Sequence, residues 1–198
     1  SSASNRYSDA GTVLVSMLRD RDKGVRVAVI EAIANRKVQA AFNPLIRLVN
    51  YPDVKVKRAV YRALLALRNS DNRDMLRIQF RKGMGVNDSE VRISCIKALA
   101  EKTVIADMDA LRQAGFDPSS QVKLAAIDVL AGAKLPEGME VLALWFGDPE
   151  MKVRARALDA IGGIDAGPDW KAKKSRYIRD FIKTPGQPPN LLKKARQL

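Results

Sequence analysis

"DPEMKVRARALDAIGG", residues 148–163, is one of five related stretches in a chain of 198 residues. "DRDKGVRVAVIEAIAN" begins at Asp20 and "DPSSQVKLAAIDVLAG" at Asp117, with looser copies "YPDVKVKRAVYRALLA" from Tyr51 and "VNDSEVRISCIKALAE" from Val86. Aligned on the valine that precedes a basic residue (Val25, Val56, Val91, Val122, Val153), the copies are spaced 31, 35, 31 and 31 residues apart. A near-constant period of this size marks a repeat architecture in which each copy is one supersecondary unit.

Within each copy, apolar residues stand at positions 0, 4, 7 and 8 from the valine, and these positions share one face of an α-helix. The fourth positions are Val29, Val60, Cys95, Ala126 and Ala157, and the small residues at position seven, Ala32, Ala63, Ala98, Val129 and Ala160, let neighbouring helices approach closely. A second amphipathic stretch precedes each copy: residues 12–19, 43–50, 74–80, 107–115 and 139–146. Turns carrying "YPD", "FDPSS" and "GDPE" join the two. Neither helix of such a pair can bury its apolar face alone, so the pairs must stack. The expected fold is all-α: a right-handed α-α superhelix, or solenoid, of about five helical hairpins closed by a C-terminal capping helix.

The expected organisation is an N-terminal extension at 1–8, five repeats over 9–164, a capping helix at 165–183, and a Pro-rich linker with a short basic tail at 184–198. In the capping segment Trp170, Tyr177, Ile178, Phe181 and Ile182 share a face, with Trp170 and Phe181 expected to cover the fifth repeat. "NLLKKARQL" can form a short amphipathic helix with Asn190 as its N-cap, either packing on a neighbour or docking a partner.

The pattern resembles HEAT repeats, in particular the short bacterial-type repeats also seen in phycobilin lyases, whose signature runs Asp-Pro-x-x-x-Val-Arg followed by small and Leu/Ile residues. The resemblance covers residues 9–164 and is best in the fourth and fifth copies. The third departs most, with four extra residues, a "GMG" at 83–85 that is expected to be a flexible insertion between repeat helices, and Val86 in place of Asp. The resemblance implies a ladder between adjacent repeats: the basic residues after each valine (Arg26, Lys57, Arg92, Lys123, Arg154) pair with turn acids, notably Asp20, Asp117 and Asp148. It also implies that the convex side is lined by first helices and the concave side by second helices.

Composition narrows the chemistry. The chain has no histidine and a single cysteine, Cys95, which removes histidine-dependent catalysis, disulfide frameworks and multi-cysteine metal sites. Cys95 falls in a core slot and is expected to be a small hydrophobe. The resemblance extends to alkylpurine-type DNA glycosylases and pigment lyases, but neither catalytic residue set can be matched here. No catalytic, metal or cofactor-binding residues are therefore expected.

The net charge is +13, which favours acidic partners and opposes self-association. It is concentrated in residues 43–102, with thirteen basic against six acidic side chains, whereas residues 103–164 hold six against nine. Two clusters are candidate partner-binding sites: Arg73, Arg77 and Arg81 as a stripe at i, i+4 and i+8 on a first helix, and Arg58, Arg62 and Lys97 on second helices. The latter lie on or beside position six, which reads Glu31, Arg62, Lys97, Asp128, Asp159. The expected function is a non-catalytic scaffold for a protein with an acidic surface, with nucleic-acid or anionic-surface binding as the alternative. No apolar run is long enough to span a membrane. The start "SSASNRYS" lacks Met and leaves the compartment open, with the cytoplasm favoured and a processed or exported chain the other expectation. Oligomeric state is not determined.

Overall fold

Each copy of the signature forms an α-helix, and each amphipathic stretch before it forms another. The computed structural model describes residues 2–100, 105–165 and 167–198, with side chains from residue 10 onward. Ser1 of the expected extension lies outside the described residues; the backbone of residues 2–8 is already helical. Among the described residues none forms a strand. The helices run α1 Ser2–Met17, α2 Lys23–Arg36, α3 Phe42–Arg47, α4 Val54–Ala66, α5 Arg73–Gly83, α6 Ser89–Leu99, α7 Met108–Gln113, α8 Ser120–Ala133, α9 Gly138–Ala143, α10 Met151–Gly163, α11 Gly167–Lys183 and α12 Pro189–Ala195. The fold is a helical-repeat solenoid. The chain divides between Ala98 and Leu99 into two compact units.

The even-numbered helices α2 to α10 carry the signature and supply most of the core. Val56, Val91, Val122 and Val153 are buried, as are the residues four and eight positions on. Val25 is the exception at 37% exposed. Position five is buried in every copy as well (Ile30, Tyr61, Ile96, Ile127, Leu158), so each of these helices is covered on a broad face. Burial of one such aliphatic side chain is worth about 1.5–3 kcal/mol, which makes this face the main source of stability.

Polar residues in the turns set the helix starts. Asp22, Asp53 and Asp88 accept the backbone N–H of Val25, Val56 and Val91 respectively, so the acid three places before each valine is an N-cap in the first unit. The acid five places before has a different task. Oδ1 of Asp20, Asp117 and Asp148 accepts the N–H two residues on, at 2.8, 2.8 and 2.9 Å, forming the turn itself. At the other end, Lys37 and Lys134 close α2 and α8 in the left-handed conformation, with φ of 51° and 53°.

In the first unit, the "GMG" stretch is packed where the sequence suggested a flexible insertion. Gly83 ends α5 against the ring of Tyr61 and the sulfur of Cys95, and a Cβ there would lie 2.6 Å from the Tyr61 ring. Only glycine permits that approach.

In the second unit, the C-terminal segment is built into the fold. Phe181 is fully buried and meets Phe146 edge-on, with ring centroids 4.9 Å apart. Nζ of Lys174 donates to the carbonyls of Gly162 and Ile164, satisfying the end of α10. Trp170 is half-buried, with the Lys173 ammonium 4.1 Å above its ring, so Ile178 and Phe181 rather than Trp170 do the covering. The N-cap of α12 is Pro188 with Pro189 following, not Asn190. Leu191 and Ala195 are buried, in the same places along α12 that Val153 and Ala157 occupy along α10.

Candidate functional site

The basic residue after each valine is drawn inward, and the three arginines share one contact. Nη2 of Arg26 donates to the carbonyl of Asp20, Nη1 of Arg92 to that of Val86, and Nη1 of Arg154 to that of Asp148, at 2.5, 2.8 and 2.7 Å. In each case the acceptor lies six residues back, in the turn that leads into the arginine's own helix. An acid is not required for this contact, since Val86 serves as well as Asp20. The arginine is a staple within a repeat first.

Contacts to the following repeat vary. Lys123 donates to Oδ2 of Asp148 at 2.6 Å, a nearly buried ion pair and the form of rung expected from the sequence. Arg26 instead stacks on Tyr51, 4.4 Å from the ring centroid, because Tyr51 stands where other copies carry Asp. Arg154 donates to Gln187 Oε1 and to the carbonyl of Gly186, and Gln187 in turn donates to the carbonyl of Phe146. The Pro-rich stretch thus takes the position of a following repeat's turn. Lys57 is half-buried beside Val86, Asn87 and Asp88.

Of the candidate partner-binding residues, Arg58 is engaged within the fold. Its Nε and Nη2 donate to both oxygens of Asp88 at 3.0 and 2.6 Å, and Nη1 lies 2.7 Å from Glu90. The Arg58 guanidinium, followed by the Val91 N–H, holds the Asp88 carboxyl below its ordinary pKa, while burial pulls the other way. Sequence periodicity placed Arg58 beside position six but could not show that Asp88 lies opposite it.

Position six is exposed at Glu31, Arg62, Lys97 and Asp128 and half-buried at Asp159. Its occupants differ in how firmly they are paired. In the second unit, Asp128 is closed by Arg156 at 2.7 Å and Asp159 by Lys194 at 2.5 Å. In the first unit, Arg62 reaches Glu31 only at 3.8 Å with both side chains more than half exposed, and Lys97 meets no acid among the described residues. On α5, Arg73 is exposed, whereas Arg77 and Arg81 are half-buried and already engaged. These three do not form a uniformly exposed stripe.

Charge follows the division of the chain. The first unit, residues 1–98, holds nineteen basic and nine acidic side chains, +10; the second holds sixteen and thirteen, +3. Cys95 is fully buried and burial pushes its thiol pKa well up, which suits a packing residue rather than a nucleophile. Among the described residues no cluster of three or more acids or Cys has metal-binding geometry, and no helix is long and apolar enough to cross a membrane.

Residues 11–100, a little under half of the chain, match the family model for HEAT repeats. No curated protein resembles the chain closely enough to count as a match. Among solved structures, an engineered protein aligns with 95% of this chain and 94% of its own length at 18% identity and a TM-score of 0.61. The complex of CpcE and CpcF of phycocyanin lyase from Nostoc aligns with 93% of this chain and 74% of its own at 16% identity and a TM-score of 0.58. At such identities the likeness is one of fold.

Proposed function

We propose that this HEAT-repeat chain is a non-catalytic scaffold that holds an acidic protein surface against the second helices of its first unit, around Arg62 and Lys97. The observation that carries this reading is the uneven pairing of position six. The acids of the second unit are neutralised within the chain, while the cations of the first remain exposed and loosely paired. Unpaired surface charge of one sign steers association and selects partners of the opposite sign. The Nostoc neighbour is a complex of two proteins, which supports association as a use of the fold. The second helices of such arrays line a concave side, and that is the proposed docking face.

A second reading, binding to nucleic acid, draws on the +10 of the first unit. One experiment separates the two. Labelled single- and double-stranded nucleic acid is titrated with the chain across a salt series, for the native protein and for R62E/K97E. The scaffold reading predicts weak binding that disappears by physiological salt. It also predicts that the chain, immobilised in nuclease-treated lysate, captures an acidic protein that R62E/K97E does not. Tight nucleic-acid binding with a steep salt slope, lost in R62E/K97E, overturns the scaffold in favour of the second reading.

A further inference from the structure

The first helices of the first unit carry a feature that the second-helix face does not account for. Between α1 and α3 lies a groove of about 600 Å³, within the range of roughly 300–1,000 Å³ that binding clefts occupy. Its floor is aliphatic: Leu18 is buried, and Val15, Pro44 and Leu48 are half-buried. The apolar character continues past the lip along α1, where Val13 and Met17 are 54% and 38% exposed. Two guanidiniums, Arg19 and Arg47, stand on the rim. Both are exposed, and neither meets a carboxylate among the described residues. Each sits near the C-terminal end of its helix, where the helix dipole favours a cation, but that interaction leaves their donors open.

We propose that this groove docks an amphipathic helix bearing carboxylates, supplied by a protein partner. A channel between two helices with an apolar floor accepts a third helix through side chains spaced i, i+4 and i+7. Glutamate or aspartate beside those anchors would meet Arg19 and Arg47 in charge-assisted pairs. Charge excludes the other occupants. A second copy carries +13 and its own tail helix is basic, so like charges would face each other. An aliphatic floor without aromatic rings gives nucleic-acid bases nothing to stack on. The groove is a second surface, separate from the residues of the proposed scaffold face.

The test uses a fluorescein-labelled synthetic helix with leucines at i, i+4 and i+7 and glutamates at its margins, titrated with the full chain at physiological salt. R19E/R47E is expected to weaken binding by at least about tenfold. K171E/R179E, which reverses two exposed cations of the second unit outside both proposed surfaces and changes net charge by the same amount, is expected to leave it unchanged. Circular dichroism checks the fold, and R19Q/R47Q replaces the reversal if R19E/R47E is not helical. The proposal is overturned by absence of binding, by equal loss in the two reversals, by undiminished binding of a peptide with serine at the leucine positions, or by nucleic acid displacing the peptide through Arg19 and Arg47. None of these outcomes involves Arg62 or Lys97, so this groove and the scaffold face fail separately.

Discussion

Arg58 on α4 and Asp88 at the start of α6 form a two-pronged ion pair across thirty residues of sequence, with N···O distances of 3.0 and 2.6 Å. The same carboxylate caps α6 by accepting the Val91 N–H. One side chain therefore starts a helix and ties it to the preceding repeat. Arg58→Ala is expected to lower stability by more than loss of an ordinary surface pair does, because the contact is bidentate and its carboxylate partner is largely shielded from water, as measured by urea denaturation. Retention of native stability would show that the pair is a bystander.

Asp88 also gives the stability an acid dependence. Its folded pKa is depressed, first by the Arg58 hydrogen bonds, so its contribution is full above the unfolded value of about 3.9 and is lost as pH falls through the folded value. Asp88→Asn keeps a capping oxygen but removes the charge. The variant is expected to lose less stability than the native chain between pH 5 and 3, on the order of one proton's linkage, read from denaturation midpoints over that range.

Lys123 and Asp148 are 14% and 4% exposed, and their 2.6 Å contact is the most buried ion pair among the described residues. Lys123→Ala leaves a carboxylate with little water to solvate it, so about 2–3 kcal/mol is expected to be lost. Hydrogen exchange should localise the loss to α8 and α10.

Gly83→Ala places a methyl group against Tyr61 and Cys95 in a closed part of the first unit. Overpacking of this kind costs about 1–3 kcal/mol, so a lowered thermal midpoint is expected. A flexible loop would tolerate alanine without change.

Lys134 ends α8 at a φ of 53°, a conformation that glycine adopts without the Cβ clash. Lys134→Gly is expected to stabilise the chain by about 0.5–1 kcal/mol, seen as a raised midpoint in the same denaturation series.

The helical pairs were legible in the sequence because burial in a stacked pair demands a fixed pattern of small and branched residues. Val56, Val91, Val122 and Val153 and the positions four and eight beyond them repeat that pattern openly. Position five was equally buried and could have been read from its uniform Ile, Tyr, Ile, Ile, Leu. The "GMG" glycine was misread, because a close approach and a flexible loop use the same residue. Exposure of Arg62 and Lys97 followed from helical phase alone, whereas the engagement of Arg58, Arg77 and Arg81 depends on what lies opposite them.

By itself the sequence determined that this chain is a stack of helical hairpins, since periodic burial is a local property repeated along the chain. It also determined the net charge. Tertiary structure alone decided where that charge is used: arginines after the valines reach carbonyls in their own turns, and a tail without the signature, Leu191 to Ala195, packs as the helices before it do. The physical reason is range. Apolar periodicity is written every few residues, but an ion pair or a carbonyl contact is fixed only when two distant segments are brought within about 3 Å of each other.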